Sequence, residues 1–243
     1  DRLKYQQNKL LANERHEAWE SVARKIAHEI KNPLTPIQLI IDNLRKKYSE
    51  LFDEKNKESF LDKIKTINKQ VKLIEKLVNE FSDFARMPKP IFKKNKLNKI
   101  IKDSINLMKT TDKNISINFD SKEVYFVKSD IEQLNRVFIN LFKNSIESLK
   151  EKHEKVGDFQ KKIDVEIQLI NDYINIVVQD NGTGFTNNDL RIFSKPYFTT
   201  KKEGSGLGLS IVEKILSDHN GFIEFISQKE GAKIKVLLPK YVD

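Results

Sequence analysis

The chain contains no cysteine. That excludes a disulfide framework and any thiolate metal site, and it fits a reducing compartment. No apolar run approaches the roughly 18 residues that a membrane-spanning helix needs, and no signal peptide is visible. Histidine is scarce, with four in 243 residues. No tract is repeated or of low complexity. The formal net charge is +9, yet lysine is spread along the whole chain with aspartate and glutamate interleaved. No short block joins arginine to aromatics, which argues against a nucleic-acid surface. What remains is 38% hydrophobic and 33% charged, enough for about two soluble domains. The opening "DRLKYQQNKLLANERHEAWE" starts within a polar helical pattern. A membrane anchor is therefore expected upstream, with this chain as the cytoplasmic portion.

From about Asn13 to Tyr48, apolar residues recur at Trp19, Val22, Ile26, Ile30, Leu34, Ile37, Ile41 and Leu44. Steps of three and four predict one amphipathic helix, on the order of 50 Å long at 1.5 Å per residue. "SELFDEKNKES" interrupts it. A second stripe follows at Phe60, Ile64, Ile67, Val71, Ile74, Val78, Phe81 and Phe84. Two long helices and a short polar loop predict an antiparallel hairpin. One hairpin cannot cover both stripes and two can, which predicts a dimeric four-helix bundle. A monomeric hairpin packed on the rest of the chain is the alternative. Pro88 and Pro90 stop the second helix. The expected divisions are residues 1–14, the end of an upstream helix; 15–88, a helical domain; and 89–243, a second domain.

In that second part the periodicity changes. "ISINFD" and "VYFV" read as strands and "DIEQLNRVFINLFKNSIESLKEK" as a helix. "KIDVEIQLI" and "YINIVVQD" alternate strictly, a helix follows the glycines near Gly206, and "GFIEFIS" and "AKIKVLLP" close as strands. The class is α+β, with a mostly antiparallel sheet covered on one face by helices.

"AHEIKNPLTP" places two prolines inside the first helix, where each costs about 3 kcal/mol. On a wheel, Ile26 and Ile30 face the core, and His28 lies about 200° from each, toward water. An idle surface histidine would look the same in isolation. Neutral imidazole is a good nucleophile near pH 7 when one nitrogen is free and the other is held as N–H. Glu29 could hold it, and Asn32 shares the face of His28 one turn on. Pro33 cannot donate to the Glu29 carbonyl, nor Pro36 to that of Asn32, so the helix is expected to bend and loosen beside the nucleophile.

Three separated stretches fit one nucleotide site. In "NRVFINLFKNSIES", Asn140, Asn144 and Glu147 share a helical face. The Asn144 amide can give Mg²⁺ one oxygen, and Lys143 can meet a phosphate as a point charge. An ordinary amphipathic helix with amides in solvent would show the same pattern. In "QDNGTGF", Asp180 can accept from an exocyclic amine such as that of adenine, and Gly182 and Gly184 permit close backbone approach. A plain hairpin turn also fits Asn-Gly. In "KKEGSGLGLSIVEKIL", Gly204, Gly206 and Gly208 lead into a helix whose N-terminus suits phosphate. The spacing is neither a Rossmann fingerprint nor a Walker loop.

"HEIKNPLTPIQL" resembles the phosphoacceptor box of bacterial sensor histidine kinases. "VARKIAHEIKNPLTPIQLIIDNLRKKY" with "LVNEFSDFARMPKP" is similar to the NtrY type of nitrogen-regulation kinase. The three nucleotide stretches match in order the N, G1 and G2 boxes of the Bergerat (GHKL) ATP-binding fold, and "FSKPYFTTK" resembles the F box of the lid. Ser145, Tyr197 and Ser205 depart from the commoner alanine, phenylalanine and threonine without removing a contacting group. The resemblance implies a helical-hairpin phosphotransfer domain in a dimeric four-helix bundle, followed by an α+β sandwich binding Mg-ATP. It implies autophosphorylation of His28 and phosphotransfer to an aspartate on a response regulator, such as an NtrX-like one. It gives Asn32 a part in removing phosphate from that regulator. It adds Phe193, Thr200, Lys201 and Leu207 to the ATP-binding set. The rival is an ATP-driven conformational machine of the Hsp90, MutL or gyrase class, which lacks the "HEIKNP" hairpin.

Overall fold

No proline or glycine occurs before Pro33, and one helix, α1, runs from Arg2 to Tyr48. It begins earlier than the apolar repeat near Asn13 suggests, because a helix needs no apolar stripe where nothing interrupts it. The structure, a computed structural model, describes residues 2–49, 51, 53–85, 87–111, 114–121, 123–185, 199 and 206–242. It divides into a helical unit, Asp1–Pro88, and a mixed unit beginning at Lys89.

In the helical unit, α2 (Glu54–Ala85) packs on α1. Pro33 and Pro36 lie inside α1, and the helix continues through both. Ala27, Leu34 and Ile41 on α1 and Ile64, Val71, Val78 and Ala85 on α2 are buried. Each set repeats every seven residues, the seam spacing of a coiled coil. Leu34, Ile41, Ile64 and Val71 form one cluster, with Phe60 packed against it. Ile26 and Ile30, which the wheel turns toward the core, are instead 39% and 37% exposed. Ile37, Leu44, Ile67 and Ile74 are likewise exposed, at 42%, 38%, 46% and 42%. The stripe is therefore two adjacent rows. Steps of three and four make an apolar band wider than one neighbouring helix can cover, and the hairpin fills only one row.

The mixed unit contains β1 (Lys93–Lys96), α3 (Leu97–Thr111), β2 (Ser116–Asp120), β3 (Phe126–Ser129), α4 (Ile131–Val156), β4 (Lys162–Ile170), β5 (Tyr173–Asp180), α5 (Gly208–Asp218), β6 (Phe222–Ile226) and β7 (Lys233–Pro239). Two of these, β1 and α3, are not among the elements expected from the sequence. The lysine-rich β1 has no strand pattern and is a strand because it pairs antiparallel with β3. In α3, the buried residues Leu97, Ile100, Ile101, Ile105 and Met108 do carry a helical stripe.

The main sheet has the order β2-β4-β5-β7-β6. The β2–β4 pair is parallel and the remaining three pairs are antiparallel. Alternation buries Ile163, Val165 and Ile167 on β4, Ile174, Ile176 and Val178 on β5, and Ile234, Val236 and Leu238 on β7. On this side α4 packs against β5, α3 and α5. Its core stripe includes Leu134, Val137, Phe138, Leu141, Phe142 and Leu149, and the two phenylalanine rings stack 6.4 Å apart. Fully burying one such side chain is worth about 1.5–3 kcal/mol. Asp130 caps α4, its Oδ1 accepting from the Glu132 and Gln133 N–H groups. The C-cap is Gly157, whose φ of 82° suits glycine.

Candidate functional site

The site grows from the end of β5. Asp180 closes that strand and is only 5% exposed. Its Oδ1 accepts from the N–H groups of Gly182 at 3.0 Å and Ala232 at 3.1 Å. Its own N–H donates to the Ala232 carbonyl at 2.9 Å. The carboxylate is thus fixed by its own loop on one side and by the β6–β7 turn on the other.

Glycine is required at two points. A Cβ on Gly231, where φ is +71°, would lie 1.8 Å from the Asp180 carbonyl oxygen. A Cβ on Gly182 would lie 2.2 Å from Ser148 Oγ and 2.9 Å from the Ser148 backbone. Ser148 Oγ accepts from the Thr183 N–H at 2.9 Å. The loop after Asp180 is therefore tied to α4.

The same helix presents Asn140, Asn144 and Glu147 on one half-buried face. Asn140 donates its Nδ2 to the Arg136 carbonyl at 2.8 Å, which turns Oδ1 away from its own helix. A Cβ on Gly208 would lie 3.1 Å from that Oδ1. Gly208 is the first residue of α5, and no side chain caps this helix start. Leu207, buried at the N-cap, anchors it, and Gly206 turns into it with φ +69°. The positive end of α5 thus lies beside the amide face of α4. Lys143 is exposed, one turn from Asn140.

The structure brings Asn140, Asn144, Asp180, Gly182, Gly184, Gly206, Leu207 and Gly208 into the mixed unit around α4, the end of β5 and the start of α5. Phe193, Thr200, Lys201 and Gly204 lie outside the described residues. His28, Glu29 and Asn32 are in the helical unit, all exposed on α1. Glu29 Oε1 lies 4.0 Å from Lys25 Nζ, one turn earlier. Sequence reasoning missed Ser148, Gly231 and Ala232. Gly231 sits in "KEGAK" between two strands, where a turn glycine could have been read. Nothing local marks Ser148.

Among the described residues, no group of three or more His, Cys, Asp or Glu side chains is placed to hold a metal, and no helix is long and apolar enough to cross a membrane.

Residues 18–90 match the family described as the His Kinase A (phospho-acceptor) domain. Residues 129–242 match the family described as histidine kinase-, DNA gyrase B- and HSP90-like ATPase. An NtrY-like sensor histidine kinase of Rickettsia prowazekii (strain Madrid E) is 39% identical over 237 residues, which are 96% of this chain and 38% of that protein. The nitrogen regulation protein NtrY of Azorhizobium caulinodans is 36% identical over 222 residues, 91% of this chain and 28% of that protein. The chain therefore spans well under half the length of these relatives. Among solved structures, histidine kinase ThkA in complex with response regulator protein TrrA is similar in fold. Its TM-score is 0.64 and its identity 24%, over 99% of this chain and 67% of that one. With a phosphoacceptor domain and an ATPase domain matched in that order, and relatives aligned across nearly its whole length, the chain belongs to the sensor histidine kinases.

Proposed function

We propose that this chain is a catalytic core that transfers the γ-phosphoryl group of ATP to His28 and from there to an aspartate of a response regulator. The observation that carries the reading is the buried Asp180 carboxylate, held at Oδ1 by two backbone N–H groups. With Oδ1 so fixed, Oδ2 is the oxygen that would accept from the exocyclic amine of adenine. Guanine would present a carbonyl there.

Gly182 and Gly184 let the backbone approach the base, and Gly206, Leu207 and Gly208 bring the start of α5 to the phosphates. Asn140 and Lys143 complete this wall. Phe193, Thr200, Lys201 and Gly204 join the set by the resemblance of their boxes. A hard cation such as Mg²⁺ draws most of its oxygens from phosphate and water, so one amide oxygen from the protein fits it. Asn144 would supply one amide oxygen to Mg²⁺, which neutralises charge on the phosphates.

On α1, a neutral His28 nitrogen attacks the γ-phosphorus in line. The N–P bond forms as the bond to the β–γ bridging oxygen breaks, and ADP departs. Glu29 orients the ring and takes its proton. Its ion pair with Lys25 is long and solvent-exposed, and such pairs are worth little, so the carboxylate remains able to turn to the imidazole. Asn32, exposed one turn on, would hold a water against the regulator's phospho-aspartate.

Residues 15–88 are assigned to dimerisation and phosphotransfer, 89–243 to ATP binding, and 1–14 to the end of an upstream helix. The exposed row Ile30, Ile37, Leu44, Ile67 and Ile74 supports a homodimer, because a second copy would cover it as a four-helix bundle. The core would act in the cytoplasm on an NtrX-like receiver domain.

The rival, a gyrase- or Hsp90-like ATPase machine, would release inorganic phosphate and leave no label on the protein. The match of residues 18–90 to the phosphoacceptor domain favours the kinase. Incubation with γ-labelled Mg-ATP tests this. Acid-labile, alkali-stable label on His28, absent from His28→Ala, is expected. Label that persists in His28→Ala, or none in the wild type, overturns the reading.

A further inference from the structure

We propose that Lys152 is a positioning residue for the nucleotide site, a lock that holds both of the segments gripping Asp180. This rests on the adenine-binding reading of Asp180 given above. Lys152 lies on α4, in the turn after Ser148. Its side chain is 19% exposed. Its Nζ donates to the Asn181 carbonyl at 2.8 Å and to Glu230 Oε1 at 2.6 Å, and it sits 4.9 Å from the centre of the Phe159 ring.

The two partners flank the two grips on the carboxylate. Asn181 immediately follows Asp180 and begins the loop whose Gly182 N–H binds Oδ1. Glu230 immediately precedes Gly231 and Ala232, and the Ala232 N–H binds the same oxygen. One ammonium therefore pins the β5 loop and the β6–β7 turn to each other and to α4. The Asn181 side chain seats the loop from a third direction. Its Oδ1 accepts from the Lys162 N–H at 2.9 Å and its Nδ2 donates to the Gln160 carbonyl at 2.8 Å.

The close contact has an electrostatic signature. The Lys152 hydrogen bond, and then its charge, hold the Glu230 carboxyl below its usual range. A surface ion pair alone would be worth little. Glu230 is itself 69% exposed, but the ammonium also satisfies the half-buried Asn181 carbonyl, and charge-assisted hydrogen bonds are the stronger ones. An aliphatic replacement removes this tie and leaves the Asp180–Ala232 bonds to hold the turn to the loop, so the aim of Oδ2 at the amine loosens while the phosphate-facing groups on α4 and α5 stay in place.

The test measures binding of ATP and of inosine triphosphate, which lacks the amine donor, to the full chain by calorimetry, with melting temperature in parallel. Wild type, Lys152→Met, Lys152→Arg, Asp180→Asn and the Met/Asn double variant are compared. Lys152→Met should weaken ATP binding by roughly five- to tenfold and leave inosine triphosphate within about twofold. Lys152→Arg, which keeps two donors, should restore most of the loss. In the Asp180→Asn background, Lys152→Met should cost almost nothing more, because the group it aims is already gone.

Equal weakening of both nucleotides, additivity in the double variant, or ATP affinity unchanged in a folded Lys152→Met protein overturns the proposal. If Lys152→Met does not fold, the Arg variant decides, since it must keep the wild-type preference for ATP. A wild type that binds neither nucleotide refutes the underlying site. A wild type that prefers ATP while Lys152→Met keeps that preference undiminished refutes the role of Lys152 alone.

Discussion

Asp180→Asn separates recognition from scaffolding. Two backbone donors converge on Oδ1, from Gly182 at 3.0 Å and Ala232 at 3.1 Å. In the asparagine variant those donors dictate the amide's orientation, with its oxygen facing them and its NH₂ at the former Oδ2. The two Oδ1 bonds survive, and the acceptor assigned to adenine is lost. A hydrogen bond to a charged group is worth about 1.5–3 kcal/mol, which corresponds to about a 10- to 150-fold loss of ATP affinity. The melting temperature should scarcely move. Asp180→Ala is the contrast, because it orphans two donors around a buried site at about 1–3 kcal/mol each. It should lower both affinity and melting temperature. Calorimetry with ATP and GTP, alongside thermal melts, reads both effects. GTP should bind the wild type poorly. Asparagine protein that keeps its melting temperature and binds ATP within about twofold of wild type would refute the reasoning.

Ile37→Glu places a charge in the exposed row of α1 and should shift the protein from dimer to monomer in sedimentation, with ATP affinity unchanged; an intact dimer refutes the role of that row. His219 supplies a pH dependence. It is buried, with Nε2 accepting the Asp130 N–H at 3.0 Å and Nδ1 against the Ile215 carbonyl at 2.8 Å. Burial pushes its pKa below 6.5, and the Ile215 carbonyl and the Asp130 and Asp218 carboxylates only partly oppose this. Since the fold favours the neutral ring, the unfolded chain binds the extra proton. The stabilisation is complete above pH 6.5 and is lost as pH falls below that value toward and through the depressed folded pKa. His219→Gln should flatten that limb of a plot of melting temperature against pH, and an unchanged limb would contradict the assignment. Asn32→Ala should leave His28 labelling intact and slow loss of phosphate from the regulator. Wild-type dephosphorylation by a folded variant removes Asn32 from that step.

The helices of the hairpin and the strands from β4 onward were legible because each has one dominant apolar period. Asp180 and the glycines near it were legible because they are contiguous and their chemistry is specific. The division of the α1 stripe into a row covered by α2 and a row left exposed was not. Spacing tells how wide an apolar band is, and only the crossing of α2 tells which part of it is filled. Ser148 and Ala232 could not be found either. They meet the Asp180 loop from 35 and 52 residues away, and no local pattern records such a meeting. The strand character of "KKNK" comes entirely from its partner β3. The stripe in α3, by contrast, follows a rule that the sequence displays openly.

The order β2-β4-β5-β7-β6 sets β7 between two strands made earlier. During synthesis, β5 leaves the ribosome with one edge open, and β6 pairs with no described strand other than β7. Both edges wait for Lys233–Pro239, and open strand edges are where nascent chains stick to one another. Truncation before Lys233 would therefore reach well beyond β7 itself. It would divide the sheet, leave β6 without a partner, and remove the ladder that carries Ala232 to Asp180. β7 is the strand that joins the two parts of the sheet.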